Sequence, residues 1–126
     1  IVEKAQPKID LFKKLAAVTP KETIFATNTS SIPVTRIAAQ IPHPERVVGM
    51  HFFNPAHIMK LVEVISGAAT DDAVAKTIFD LSLQLGKTPV MAKDAPGFIV
   101  NRVARHYYVE SLKLLEEQVA PLETID

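Results

Sequence analysis

The chain reads as an α/β protein whose sheet is at least partly parallel, closed by a long helix that leads into a separate all-helical unit. Three observations predict this. Short runs rich in β-branched and aromatic residues alternate with stretches of helical periodicity. Two of those runs, residues 47–55 and 60–65, are consecutive and almost wholly apolar, as strands buried on both faces are. Beyond Lys93-Asp94-Ala95-Pro96-Gly97, whose turn chemistry marks a boundary between packed units, strand signals stop and one helical period runs from Phe98 to about Val119.

Taken in order, residues 7–18 set Ile9, Phe12 and Leu15 or Ala16 at helical spacing, with proline in front and Thr19-Pro20 as the stop. Residues 23–27 form a short strand, ending in the polar turn Asn28-Thr29-Ser30-Ser31 before Pro33 and a short helix over 34–41. The two apolar strands follow, turned at Asn54-Pro55. Thr70-Asp71-Asp72 then starts a helix with Val74, Ile78, Leu81 and Leu85 as its apolar positions and Gly86 as its stop. Residues 88–92 read as a further strand. On the final helix Ile99, Val103, Tyr107 and Leu114 recur on one face.

The 126 residues suffice for one domain with a core, and a 48% hydrophobic content fits a globular chain. Fourteen basic residues balance fourteen acidic ones and are dispersed along the chain, which argues against a nucleic-acid groove or a polybasic membrane patch. With no cysteine there is no thiolate nucleophile, and redox chemistry needs a cofactor. No apolar run approaches the roughly 18 residues of a membrane span. The expectation is therefore of no nucleic acid and no membrane as partner. The chain opens at Ile1 and stops after Pro121-Leu122-Glu123-Thr124-Ile125, which resembles the first turn of another helix, so both ends read as cut.

The costly placements are His51 and Glu63, one imidazole and one carboxylate inside consecutive apolar strands. A carboxylate taken out of water needs hydrogen bonds or a partner charge, and a histidine is well suited to answer it. His51 alone reads more readily as a satisfied core histidine than as a catalytic base, and Glu63 could be answered by Lys60 or a distant arginine. Alternation puts Leu61, Glu63 and Ile65 on one face, and the turn at Asn54-Pro55 lets the 12-residue separation close. The turn Asn28 to Ser31 lies where α/β sheets bind ligands, although Ser30 or Ser31 could simply cap the helix that begins near Pro33. His43 and His57 read as solvent-facing and His106 as a packing residue beside Tyr107 and Tyr108. No histidine pair has metal-ligand spacing, and no metal is expected. The four glycines, Gly49, Gly67, Gly86 and Gly97, are too dispersed to cradle a dinucleotide pyrophosphate.

Together, Ile1-Val2-Glu3, the run 25–31, His51-Phe52-Phe53-Asn54-Pro55, the run 59–65 and the run 94–102 resemble the L-3-hydroxyacyl-CoA dehydrogenase family over the whole chain. The resemblance implies the second half of a Rossmann-type NAD-binding domain over residues 1–95. Residues 96–126 would then open the helical C-terminal domain, with the glycine-rich turn and most of that domain outside these residues. It implies NAD as cofactor and oxidation of (3S)-3-hydroxyacyl-CoA to 3-oxoacyl-CoA in β-oxidation or butanoate-type metabolism. His51 is the implied general base and Glu63 its orienting partner, with Ser30 and Asn101 positioning the substrate. Glu3, Lys8, Ser30 and Asn54 match positions that contact the nicotinamide half of NAD. A homodimer formed through the C-terminal domain is implied too, in the cytoplasm or, for a eukaryotic protein, the mitochondrial matrix. Two alternatives stand beside this: a non-catalytic relative with the same fold, and a dehydrogenase of CoA-free hydroxy acids.

Overall fold

A computed structural model describes residues 1–125. Four strands form one sheet in the order β1-β2-β3-β4, with β1 Phe25–Thr27, β2 Val47–Phe52, β3 Leu61–Ser66 and β4 Thr88–Lys93. β1 and β2 are parallel, β2 and β3 antiparallel, and β3 and β4 parallel. The sheet is thus mixed, and the reversal falls between the two apolar strands. Its register sets Gly49 opposite Ile65 and His51 opposite Glu63.

The alternation of side chains on β2 and β3 builds a core on each face of the sheet. On one face Val47 and Ile65 pack with Ile9 and Phe12 of helix α1 (Ala5–Ala16) and with Val34, Ile37 and Ala38 of helix α2 (Val34–Ala38). On the other, Val48, Met50, Val62 and Val64 meet Val74 and Ile78 of helix α3 (Asp72–Gln84). Each fully buried valine or isoleucine contributes about 1.5–3 kcal/mol. Because both faces are covered, β2 and β3 are continuous apolar runs, and any polar group within them needs an internal partner.

Local chemistry accounts for the helix limits. Lys13 and Lys14 lie in the last turn of α1, where cations favour the helix dipole. Asp71 caps α3 by accepting from the Ala73 amide at 2.8 Å, and Gly86 follows its end at φ +71°, a left-handed geometry that glycine adopts without strain. Two readings need correction here. Leu81 and Leu85 are exposed, and Val74, Ala75, Ile78 and Ser82 form the buried stripe of α3 instead, because the helix meets the sheet on a narrower face than its apolar content offers. Nor does Ser30 or Ser31 cap α2; its first amides, Val34 and Thr35, donate to Asp94 at 3.0 and 2.8 Å. That carboxylate lies some sixty residues away, beyond the reach of local capping rules.

Helix α4 (Val100–Glu116) has no buried residue, and Val103 and Tyr107 of its apolar face are open to solvent. A short helix α5 (Leu122–Ile125) follows it. His106 is exposed rather than packed, as are His43 and His57.

Gly49 is required by close approach. A Cβ there would lie 2.7 Å from the Ile65 Cβ and 3.1 Å from the Val34 Cγ2, so α2 and β3 could not both keep their places. Gly49→Ala should destabilise the protein by about 1–3 kcal/mol, the usual cost of overpacking, measured as a lower urea midpoint at unchanged slope.

Candidate active site

His51 lies in the last turn of alternation on β2, facing the core shared with α1 and α2, and Glu63 stands directly across the antiparallel ladder. Nδ1 of His51 lies 2.8 Å from Oε2 of Glu63, with 4% and none of the two side chains exposed. The other carboxylate oxygen, Oε1, accepts the backbone amides of Ile99 and Val100, each at 2.9 Å, where α4 begins. Three donors and the positive end of a 17-residue helix therefore surround one buried carboxylate. Among the described residues no buried side-chain nitrogen or oxygen lacks a partner. Lys60 is exposed and plays no part.

This carboxylate fixes the tautomer of the neutral ring. An acceptor at Oε2 requires the proton on Nδ1, which leaves a lone pair on Nε2. Nε2 faces the Ser30 hydroxyl at 3.0 Å, and Ser30 lies on the open side of the pair. The imidazole is also held between aromatic rings, with Phe53 at 4.7 Å and Phe98 edge-on at 5.7 Å. Phe98 adopts φ +47°, uncommon for a bulky residue, and turns its ring toward the histidine.

Ser30 belongs to a loop held from below by Glu3. Oε1 of Glu3 accepts the Ser30 amide at 2.9 Å and the Thr29 hydroxyl, while Oε2 pairs with the buried Lys8 at 3.1 Å. Burial acts on the Glu3 carboxyl toward the neutral acid. Hydrogen bonds from Thr29, Lys8 and Ser30, with the Lys8 charge, outweigh it and bring the pKa from 4.5 down to about 2. Asn28 ties the ends of the parallel strands together, its Oδ1 accepting the Phe52 amide at 2.9 Å.

The structure thus joins Ser30, His51 and Glu63 in one hydrogen-bonded chain and Glu3, Lys8 and Thr29 in a second that meets it at Ser30. Asn101 is half-buried on the first turn of α4, one residue beyond the amides that Glu63 holds. Its side chain makes no hydrogen bond to the three among the described residues. Asn54 is exposed, two residues past β2. The turn Asn28 to Ser31 is read from sequence as a ligand-side loop, but the Thr29 hydroxyl, expected to face a ligand, is turned to Glu3; Phe98 carries no sequence signal beyond its place in a boundary turn. No group of three or more histidine, cysteine, aspartate or glutamate side chains that could hold a metal is found among the described residues. No helix there is long and apolar enough to cross a membrane.

A cleft of about 200 Å³ opens beside Lys8, Thr27 and Asn28, at the carboxyl end of β1. The Lys8 ammonium and the Asn28 amide in its lining have the donor and acceptor chemistry that a ribose and a carboxamide need.

The four-stranded mixed sheet, with helices packed on both faces and a buried histidine–carboxylate pair across two of its strands, is an α/β domain. Residues 1–95 match the family model of the 3-hydroxyacyl-CoA dehydrogenase NAD binding domain and residues 97–126 that of the 3-hydroxyacyl-CoA dehydrogenase C-terminal domain. The chain belongs to the 3-hydroxyacyl-CoA dehydrogenase family. It is 56% identical to 3-hydroxyadipyl-CoA dehydrogenase of Escherichia coli K12 over 98% of this chain and 26% of that one. It is 46% identical to human mitochondrial hydroxyacyl-coenzyme A dehydrogenase over 100% of this chain and 40% of that one. Among solved structures, 5-formyl-3-hydroxy-2-methylpyridine 4-carboxylic acid 5-dehydrogenase, an NAD+ dependent dismutase, superposes with a TM-score of 0.95 at 39% identity, covering 100% of this chain and 41% of that one. The chain therefore spans less than half the length of these relatives.

Two predictions follow from the geometry. Glu63→Ala strands the His51 Nδ1–H and two backbone amides and should cost about 3–5 kcal/mol in urea unfolding. Since Glu3 titrates lower when folded, its contribution to stability is complete above pH about 4.5 and is lost as the pH falls toward 2. In Glu3→Gln, thermal melts should therefore decline less steeply over that window than in the wild type.

Proposed function

We propose that these residues carry the proton-transfer half of an NAD-dependent oxidation of (3S)-3-hydroxyacyl-CoA to 3-oxoacyl-CoA, divided into a partial Rossmann-type domain over 1–95 and the start of a helical domain over 96–126. The observation that carries the reading is the chain Glu63–His51–Ser30, in which the ring nitrogen not held by Glu63 meets the exposed Ser30 hydroxyl. His51 Nε2 takes the proton of the substrate 3-hydroxyl, and in reduction returns it to the forming hydroxyl. Glu63 keeps the opposite nitrogen protonated and favours the imidazolium that results. Ser30 holds the 3-oxygen within reach of Nε2, and Asn101 supplies an amide for the thioester carbonyl. Glu3, Lys8, Ser30 and Asn54 border the nicotinamide half of NAD. Bound NAD accepts the hydride that leaves C3.

A CoA-free substrate is the second reading, since a dehydrogenase named for a pyridine carboxylic acid superposes as closely (TM-score 0.95) as an (S)-3-hydroxybutyryl-CoA dehydrogenase does (0.94). A non-catalytic relative is disfavoured, because a buried ion pair released from catalysis can be replaced by apolar residues at no loss of stability. A homodimer assembled through the C-terminal domain, in the cytoplasm or mitochondrial matrix, completes the proposal.

The test is NADH oxidation by the full-length protein with acetoacetyl-CoA and 3-oxoadipyl-CoA, against the corresponding free acids. Turnover of the thioesters alone supports the first reading, and turnover of the free acids alone the second. His51→Gln should lower kcat by at least about 100-fold with NADH affinity within about twofold, and near-normal turnover would reject the base role.

A further inference from the structure

Asp94 is half-buried just after β4 and has no place in the proton-transfer chain, yet its carboxylate makes two of the longest-range hydrogen bonds in the molecule. Oδ1 accepts the Val34 amide at 3.0 Å and Oδ2 the Thr35 amide at 2.8 Å, spanning 60 and 59 residues of sequence. Both amides open α2, which directly follows the Ser30 loop. Five residues downstream of Asp94, the Ile99 amide donates to Glu63 at 2.9 Å. A single segment, 94–100, therefore grips the Ser30 side of the site with one end and the His51–Glu63 side with the other.

Other bonds also hold the loop and the start of α2: Asn28 Oδ1 accepts the Phe52 amide and the Thr35 hydroxyl accepts the Ala68 amide, each at 2.9 Å. Thr29 accepts the Ile32 amide at 2.9 Å, and Glu3 accepts the Ser30 amide at 2.9 Å, which anchors the loop toward the α1 end. Neither contact ties it to the segment that carries α4. With Asp94 in place, the 3.0 Å approach of the Ser30 hydroxyl to His51 Nε2 is set from both ends of the loop.

We infer that Asp94 is a positioning residue: by clamping the first amides of α2 to the 94–100 segment, it holds Ser30 in register with His51 and with Asn101 at the start of α4. This rests on the reading of Ser30 and His51 given above. A displacement of order 1 Å at a reacting group costs up to about 100-fold in rate, whereas nucleotide contacts at Lys8, on the far side of Glu3, are left in place.

The experiment is a double-mutant cycle in the full-length protein, with acetoacetyl-CoA reduction by NADH as readout and circular dichroism melts on each variant. Asp94→Ala is expected to lower kcat roughly 10- to 100-fold with the KM for NADH within about twofold. Asp94→Asn keeps one good acceptor and should fall between Asp94→Ala and the wild type. In the Ser30→Ala background, Asp94→Ala should have little further effect, because the group it positions is gone. Equal losses in both backgrounds, a loss confined to the NADH KM, wild-type kcat in Asp94→Ala, or failure of both Asp94 variants to unfold cooperatively would each overturn the inference and leave the residue structural only. A wild type without turnover would instead reject the underlying dehydrogenase reading. A wild type that turns over while Ser30→Ala matches it would reject the role of Ser30, and with it that of Asp94.

Discussion

The carboxylate of Glu63 is the constraint on which the rest of the site depends. It is wholly buried, so each of its oxygens must be answered from within the protein, and the three donors come from two places far apart in sequence. His51 comes from the neighbouring strand; the amides of Ile99 and Val100 come from the end of the connection that follows β4. Satisfying one group thereby fixes the orientation of an imidazole and the entry point of α4 at the same time. Were the carboxylate absent, the His51 Nδ1–H and the first amides of that helix would lose their acceptor.

The antiparallel step in an otherwise parallel sheet is what makes this arrangement short. A parallel crossover between β2 and β3 would need a helix on one face, and the residues facing His51 would then follow that helix. The short turn instead lets β3 return beside β2, placing position 63 opposite position 51 in direct register. The same register sets Gly49 against Ile65, where absence of a side chain lets α2 approach the sheet. α2 in turn carries the loop that ends at Ser30. Packing and chemistry are thus coupled through two rungs of one ladder.

Much of this was legible in the residues. The apolar runs defined β2 and β3, alternation assigned Glu63 to the face of Leu61 and Ile65, and the isolation of His51 and Glu63 among apolar neighbours marked them as a pair. These readings rely on periodicity and on the cost of burying charge, both of which are local properties. What was not legible was long-range. The cap of α2 is Asp94 rather than the adjacent serines, since Thr29 and Ser30 spend their groups on Glu3 and His51. Leu81 and Leu85 were read as core because periodicity reports which face is apolar, not how wide a face the sheet can cover. The exposed apolar residues of α4 show the same limit: a helical pattern states that a partner surface is needed without saying where it lies.

The presence of three carboxylates at the junctions of these elements is itself informative. Glu3, Glu63 and Asp94 each accept backbone amides from a segment remote in sequence, and two of them do so at the first turn of a helix. A carboxylate is an acceptor only, and its two oxygens can hold adjacent amides or an amide and a side chain at once. A glutamine or asparagine of the same shape would present an N–H to one of those donors and open the contact. Apolar replacements would pack but leave the amides unpaired. The pattern is that of a domain whose loops are located by charge-assisted bonds to main chain, which are directional where apolar contact is not. Held in this way, the Ser30 hydroxyl keeps its 3.0 Å distance from the His51 ring nitrogen.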